Sequence, residues 1–140
     1  MKRTASAKWQ GDLKSGRGVV STASTVLTDA QYSFRSRFEE GPGTNPEELI
    51  AAAHAGCFAM ALSAVLGEAG FTPEEIAATA TVTMEPVDGA PTVKASHLQV
   101  VAKVPGASAE DFLKAANDAK QNCPISRLLK AEITMAAELA

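Results

Sequence analysis

From Leu49 to Gly67 the chain carries no Asp, Glu, Lys or Arg. A run of that kind is close to the ~20 residues that cross a bilayer, so it belongs either in a membrane or in a core. His54, Ser63, Gly56 and Gly67 interrupt it, and much of the rest is weakly apolar Ala. Glu47, Glu48 and Glu68 bracket it, where a membrane span would carry basic or aromatic anchors. The expectation is a soluble helix, apolar nearly all round, which belongs in the middle of a core. Its start is well marked. Asn45 can cap, Pro46 suits the first helical position, and Glu47 and Glu48 sit where the helix dipole favours anions. Asn45 with Glu48 resembles a capping box. The helix should run to about Ala69, with Gly70 as terminator.

Around that helix the chain alternates between strand and helix patterns. Thr4 to Trp9, Arg17 to Thr22 and Tyr32 to Phe38 read as three short strands, with turn chemistry at Gly11, Asp12 and Gly16. After the long helix, Thr72-Pro73-Glu74-Glu75 predicts a short helical turn. Thr79 to Met84 alternates as a half-buried strand, and Thr92 to Val104 is its partner, with Leu98, Val100, Ala102 and Val104 on one face. Ser108 with Asp111 opens another helix, which Asn122-Cys123-Pro124 breaks. A short helix from Pro124 to about Leu129 leads into a last strand through Ile133, Met135, Ala137 and Leu139. The order is βββ-α-ββ-α-β, an α+β layout with antiparallel sheet around one long helix. The chain of 140 residues is one domain, 1–140, by length.

Composition narrows the function. A net charge of -3 argues against nucleic acid, which calls for a basic face. No apolar run follows the opening Met1-Lys2-Arg3-Thr4, so the expectation is a reducing cytoplasm and no membrane. Two cysteines there are reduced or catalytically cycling rather than a permanent bridge. They do not form a CxxC motif, and two histidines give no metal cluster, so no cofactor or metal is expected.

Four residues invite chemistry. Cys57 lies within the apolar helix, where a Cys is commonly a small buried hydrophobe. Glu47 stands about 15 Å from it along the helix axis and about 80° around it, too far to touch the sulfur without an intermediary. A guanidinium held by a carboxylate can favour a thiolate, and Arg35 or Arg37 could supply it. Strand alternation puts both on one face and does not choose between them. Cys123 precedes Pro124, at or near a helix N-cap where a thiolate is favoured, or else it simply packs at a bend. His54 shares the helix with Cys57 and raises a Cys/His nucleophile pair, with no orienting third residue in view. His97, on a strand, suggests no role.

The run Arg37-Phe38-Glu39, Gly43-Thr44-Asn45-Pro46-Glu47-Glu48-Leu49-Ile50 and Ala53-His54-Ala55-Gly56-Cys57-Phe58 strongly resembles the OsmC branch of the OsmC/Ohr hydroperoxide reductases. Asn122-Cys123-Pro124-Ile125-Ser126 stands at that family's second-cysteine position. The resemblance covers essentially the whole chain. It implies an intertwined homodimer with two long helices at its centre and active sites built from both subunits. It implies Cys57 as the peroxidatic Cys, Cys123 as the resolving Cys, Glu47 as the acidic partner and Arg37 as the catalytic Arg. The Ohr branch draws its Arg from nearer the N-terminus, where this chain has Arg17. The implied chemistry is reduction of an organic hydroperoxide through a Cys57 sulfenic acid and a Cys57–Cys123 disulfide. An external dithiol, in this family often a lipoylated protein, would reduce that disulfide. Two other classes compete: a non-enzymatic dimeric domain with structural cysteines, and a Cys/His acyl-transfer enzyme.

Overall fold

The computed structural model describes all residues from Met1 to Ala140. The elements run β1 (Ala5–Gln10), β2 (Arg17–Thr22), β3 (Ala30–Tyr32), α1 (Phe34–Phe38), α2 (Pro46–Glu68), β4 (Glu75–Val87), β5 (Ala90–Lys103), α3 (Ala109–Asn122), α4 (Pro124–Leu128) and β6 (Glu132–Leu139). They group into two compact units, Met1–Leu49 and Ile50–Ala140. The architecture is α+β, with two three-stranded sheets and one long helix.

In the first unit β1, β2 and β3 form an antiparallel sheet in that order. Gly18 on β2 lies so close to Trp9 and Tyr32 that a Cβ there would clash with both rings. The expected third strand, Tyr32 to Phe38, is a correction: the strand ends at Tyr32 and Phe34–Phe38 is the helix α1. Phe34-Arg35-Ser36-Arg37-Phe38 alternates like a strand, but a reciprocal capping box overrides the pattern. The Ser33 hydroxyl accepts from the Ser36 amide, and the Ser36 hydroxyl accepts from the Ser33 amide. Phe34 and Phe38 then stack one turn apart, ring centroids 4.9 Å from each other.

In the second unit β4 pairs antiparallel with β5 along its whole length. The all-antiparallel expectation needs a second correction, because β6 joins the other edge of β5 in parallel. A parallel neighbour requires a crossover connection, and α3 with α4 supplies it. No helical turn forms at Thr72–Glu75. The Glu74 amide instead donates to the Lys103 carbonyl at 2.8 Å, and Glu75 opens β4. The inward face of β5 is as the alternation predicts, with Leu98, Val100, Ala102 and Val104 buried. They pack with Phe58, Leu62 and Leu66 of α2 and Phe112, Ala116 and Ala119 of α3.

Helix α2 begins as its sequence predicts. The Asn45 carboxamide accepts from the Glu48 amide at 2.8 Å, while the Glu48 carboxylate takes the Thr44 hydroxyl rather than closing the box. It ends in a Schellman motif. Gly70, at φ +88°, donates to Gly67, and Phe71 donates to Leu66. Within one chain the helix is not covered on every side. His54, Phe58, Leu62 and Leu66 form a buried strip, while Ala53, Gly56, Met60, Ala64 and Gly67 are exposed. A Cβ built on Gly56 or Gly67 would meet nothing within 4 Å. The helix is therefore apolar on a face that its own chain leaves open.

Candidate active site

Each unit presents one polar constellation. In the first, Arg37 in the last turn of α1 meets Glu47 in the first turn of α2. Arg37 Nη2 donates to Glu47 Oε1 at 2.7 Å, and Nε donates to both carboxylate oxygens at 3.2 Å. This forked geometry fixes the guanidinium plane. Arg37 also lies over the Phe38 ring, 5.2 Å from its centroid. Arg35 takes a different environment. A helix of five residues turns the two arginines apart, and Arg35 reaches the exposed Glu39 at 3.8 Å and the Glu40 carbonyl. Arg17 opens β2 with its side chain exposed. Beside Arg37 is a cleft of about 250 Å³ walled by Trp9, Leu13, Tyr32, Phe34 and Phe38.

The second constellation joins α2, β5, α3 and α4. Cys57 is half-buried and Cys123 fully buried, and both are free thiols. The chain brings them side by side. Burial pushes the Cys57 thiol above its usual range, a hydrogen bond from the Ile125 backbone opposes that, and the neighbouring Cys123 raises it further. Cys123 ends α3 and caps α4, accepting from the Ser126 amide at 3.4 Å. Its sulfur also lies 3.2 Å from the Ser126 hydroxyl.

His54 is buried beside this pair. Its Nδ1 lies 2.7 Å from the Ser96 hydroxyl and its Nε2 lies 2.8 Å from the Ser126 hydroxyl. Burial lowers its pKa below the ordinary 6.5. The side chain is thus a neutral imidazole with both nitrogens satisfied. The sequence signals neither serine, because they lie 42 and 72 residues away along the chain. No sequence pattern marks Ser126 apart from its place just after Cys123-Pro124.

Comparison with known proteins places the chain in a family. A family model for OsmC-like protein matches residues 39–138. Peroxiredoxin OsmC of Escherichia coli is 51% identical over 133 residues, covering 95% of this chain and 93% of that protein. The chain belongs to the OsmC-like family. A more distant relative, organic hydroperoxide resistance protein-like 1 of Staphylococcus epidermidis, is 36% identical over 67% of each chain. The OsmC-like fold also recurs in the organic hydroperoxide resistance protein OhrB of Bacillus subtilis. That structure superposes with a TM-score of 0.69 over 98% of both chains, at 24% identity. The matched region, residues 39–138, contains Cys57, Cys123 and Glu47.

Proposed function

We propose that this chain is a cysteine-based peroxidase that reduces organic hydroperoxides to alcohols, with Cys57 as nucleophile and Cys123 as resolving thiol. The observation that carries this reading is the contact between two free cysteines remote in sequence, one half-exposed and one buried. The Cys57 thiolate attacks the terminal oxygen of the hydroperoxide, the O–O bond breaks, and the departing alkoxide takes a proton and leaves as the alcohol. Cys57 is then a sulfenic acid. Cys123 attacks that sulfur and displaces hydroxide, which leaves as water, and the Cys57–Cys123 disulfide results. An external dithiol, such as a lipoylated protein, restores both thiols. That reduction suits a cytoplasmic setting.

Arg37 is the cation in this scheme. Burial and Cys123 both oppose ionisation of Cys57, so a positive partner is needed, and Arg37 is held in one orientation by Glu47. The aromatic cleft beside Arg37 would accept an apolar substituent, which supports an organic hydroperoxide over hydrogen peroxide. We further propose that two copies pair through the open face of α2. Gly56, Met60 and Gly67 leave that face both apolar and close-approachable, and the 140 residues work as one domain within the dimer.

Intact mass after one equivalent of cumene hydroperoxide tests the assignment. Wild type should lose two mass units as a disulfide. Cys57→Ser should stay unmodified, and Cys123→Ser should gain one oxygen and over-oxidise with excess peroxide. The cysteine roles are reversed if Cys57→Ser is the variant that gains oxygen. Full activity in both variants would refute the peroxidase reading.

A further inference from the structure

His54, Ser96 and Ser126 are buried or half-buried polar groups that the peroxide chemistry above does not use. Their hydrogen bonds have a direction. Ser96 is fully buried, and its hydroxyl has His54 Nδ1 as partner at 2.7 Å. An unmet buried hydroxyl donor is costly, so Ser96 donates and Nδ1 accepts. The proton of the neutral ring then sits on Nε2 and points at Ser126 Oγ, 2.8 Å away. In the thiol form Cys123 donates to Ser126 Oγ at 3.2 Å. A Cys123 thiolate has no hydrogen to give, and Ser126, its oxygen engaged by His54, is then free to turn its own hydrogen to that sulfur. The Ser126 amide approaches the same sulfur.

We infer that Ser96, His54 and Ser126 form a one-way file of hydrogen-bond donors ending on Cys123, which stabilises the Cys123 thiolate as the leaving group when the Cys57–Cys123 disulfide is reduced. The inference rests on the proposed disulfide between these cysteines. Cys57 is the half-exposed sulfur and Cys123 the buried one, so an incoming dithiol attacks Cys57. The reductant's first sulfur bonds to Cys57 Sγ, the Cys57–Cys123 bond breaks, and its electron pair departs on Cys123 Sγ. The reductant's second thiolate then attacks its own first sulfur and releases Cys57. Two electrons pass from dithiol to protein, and the two thiol protons of the reductant end, through solvent, on the two cysteines. A better-stabilised leaving thiolate leaves faster. When Cys123 is a thiol, its S–H donates to Ser126 Oγ instead, so the serine hydroxyl serves both protonation states. Ser126 touches the reacting sulfur. His54 and Ser96 act through it and are positioning residues.

The test is the rate at which dithiothreitol reduces the disulfide made beforehand with diamide, so that no peroxide is involved. Ser126→Ala should slow this step about tenfold or more, the worth of one hydrogen bond to a charged group. His54→Leu should slow it similarly, and His54→Gln, which keeps an N–H donor, should recover most of the rate. Ser126→Ala removes a half-buried hydroxyl only and keeps the measurement interpretable should His54→Leu not fold. Reduction within twofold of wild type in folded Ser126→Ala would overturn the inference. If wild type ignores cumene hydroperoxide yet Ser126→Ala still slows dithiothreitol, the donor file stands and the peroxidase reading falls.

Discussion

At the scale of single residues, partners decide what each side chain is for. Arg35 and Arg37 are indistinguishable on an alternating strand, and become distinct once α1 turns one toward Glu47 and the other toward Glu39. Arg37→Ala should therefore slow peroxide consumption by orders of magnitude, whereas Arg35→Ala should cost little. Equal losses would remove Arg37 from the mechanism. On the proposal that Glu47 acts through the guanidinium, the double variant Arg37→Ala with Glu47→Ala should be little worse than Arg37→Ala alone. His54 yields a prediction about stability. Its folded pKa lies below the unfolded value of 6.5, so its contribution is complete above pH 6.5 and is lost as pH falls through the folded pKa. Urea midpoints should drop between pH 7.5 and 5.5 in wild type, and His54→Leu should lack part of that drop. The N-terminus of α2 and the pairing of Glu47 with an arginine of the preceding segment were legible in the sequence. The hydrogen bonds of Ser96 and Ser126 to His54 were not, because side-chain bonds closed across 42 and 72 residues leave no local trace.

At the scale of elements, local chemistry was readable wherever it agreed with hydrophobic pattern. Asn45, Gly70 and Ser108 mark helix ends as their residue types require, and β5 buries the face its alternation names. Disagreement hid α1. Its apolar and polar residues alternate, and only the paired serines at 33 and 36 show that the backbone turns. The parallel partnership of β5 and β6 was hidden for another reason: alternation gives a strand its faces and says nothing of its direction. The α1 cap has a measurable consequence. Ser36 is buried, and its hydroxyl donates at 2.7 Å to the Thr44 carbonyl as well as closing the capping box. Ser36→Ala should cost about 1–2 kcal/mol of stability. It should also lower the peroxide rate by more than that loss of folded protein explains, because α1 carries Arg37. Unchanged kinetics in a folded Ser36→Ala protein would show that Arg37 does not depend on the cap.

At the scale of the whole molecule, the long charge-free run that first constrained the fold has two faces with different fates. One is satisfied by β5 and α3 of the same chain, and the other is offered outward. By length and composition the helix would also suit a bilayer, but Glu47, Glu48 and Glu68 at its ends favour a protein partner over lipid. Light scattering at micromolar concentration should give twice the 14.5 kDa chain mass, and a stable single-chain species would refute pairing. The open strip has a further consequence for folding itself. If a second chain completes the packing of α2, unfolding releases two molecules from one, and mass action enters the melting curve. The thermal midpoint should rise with protein concentration, and dilution alone should loosen the helix that carries Cys57.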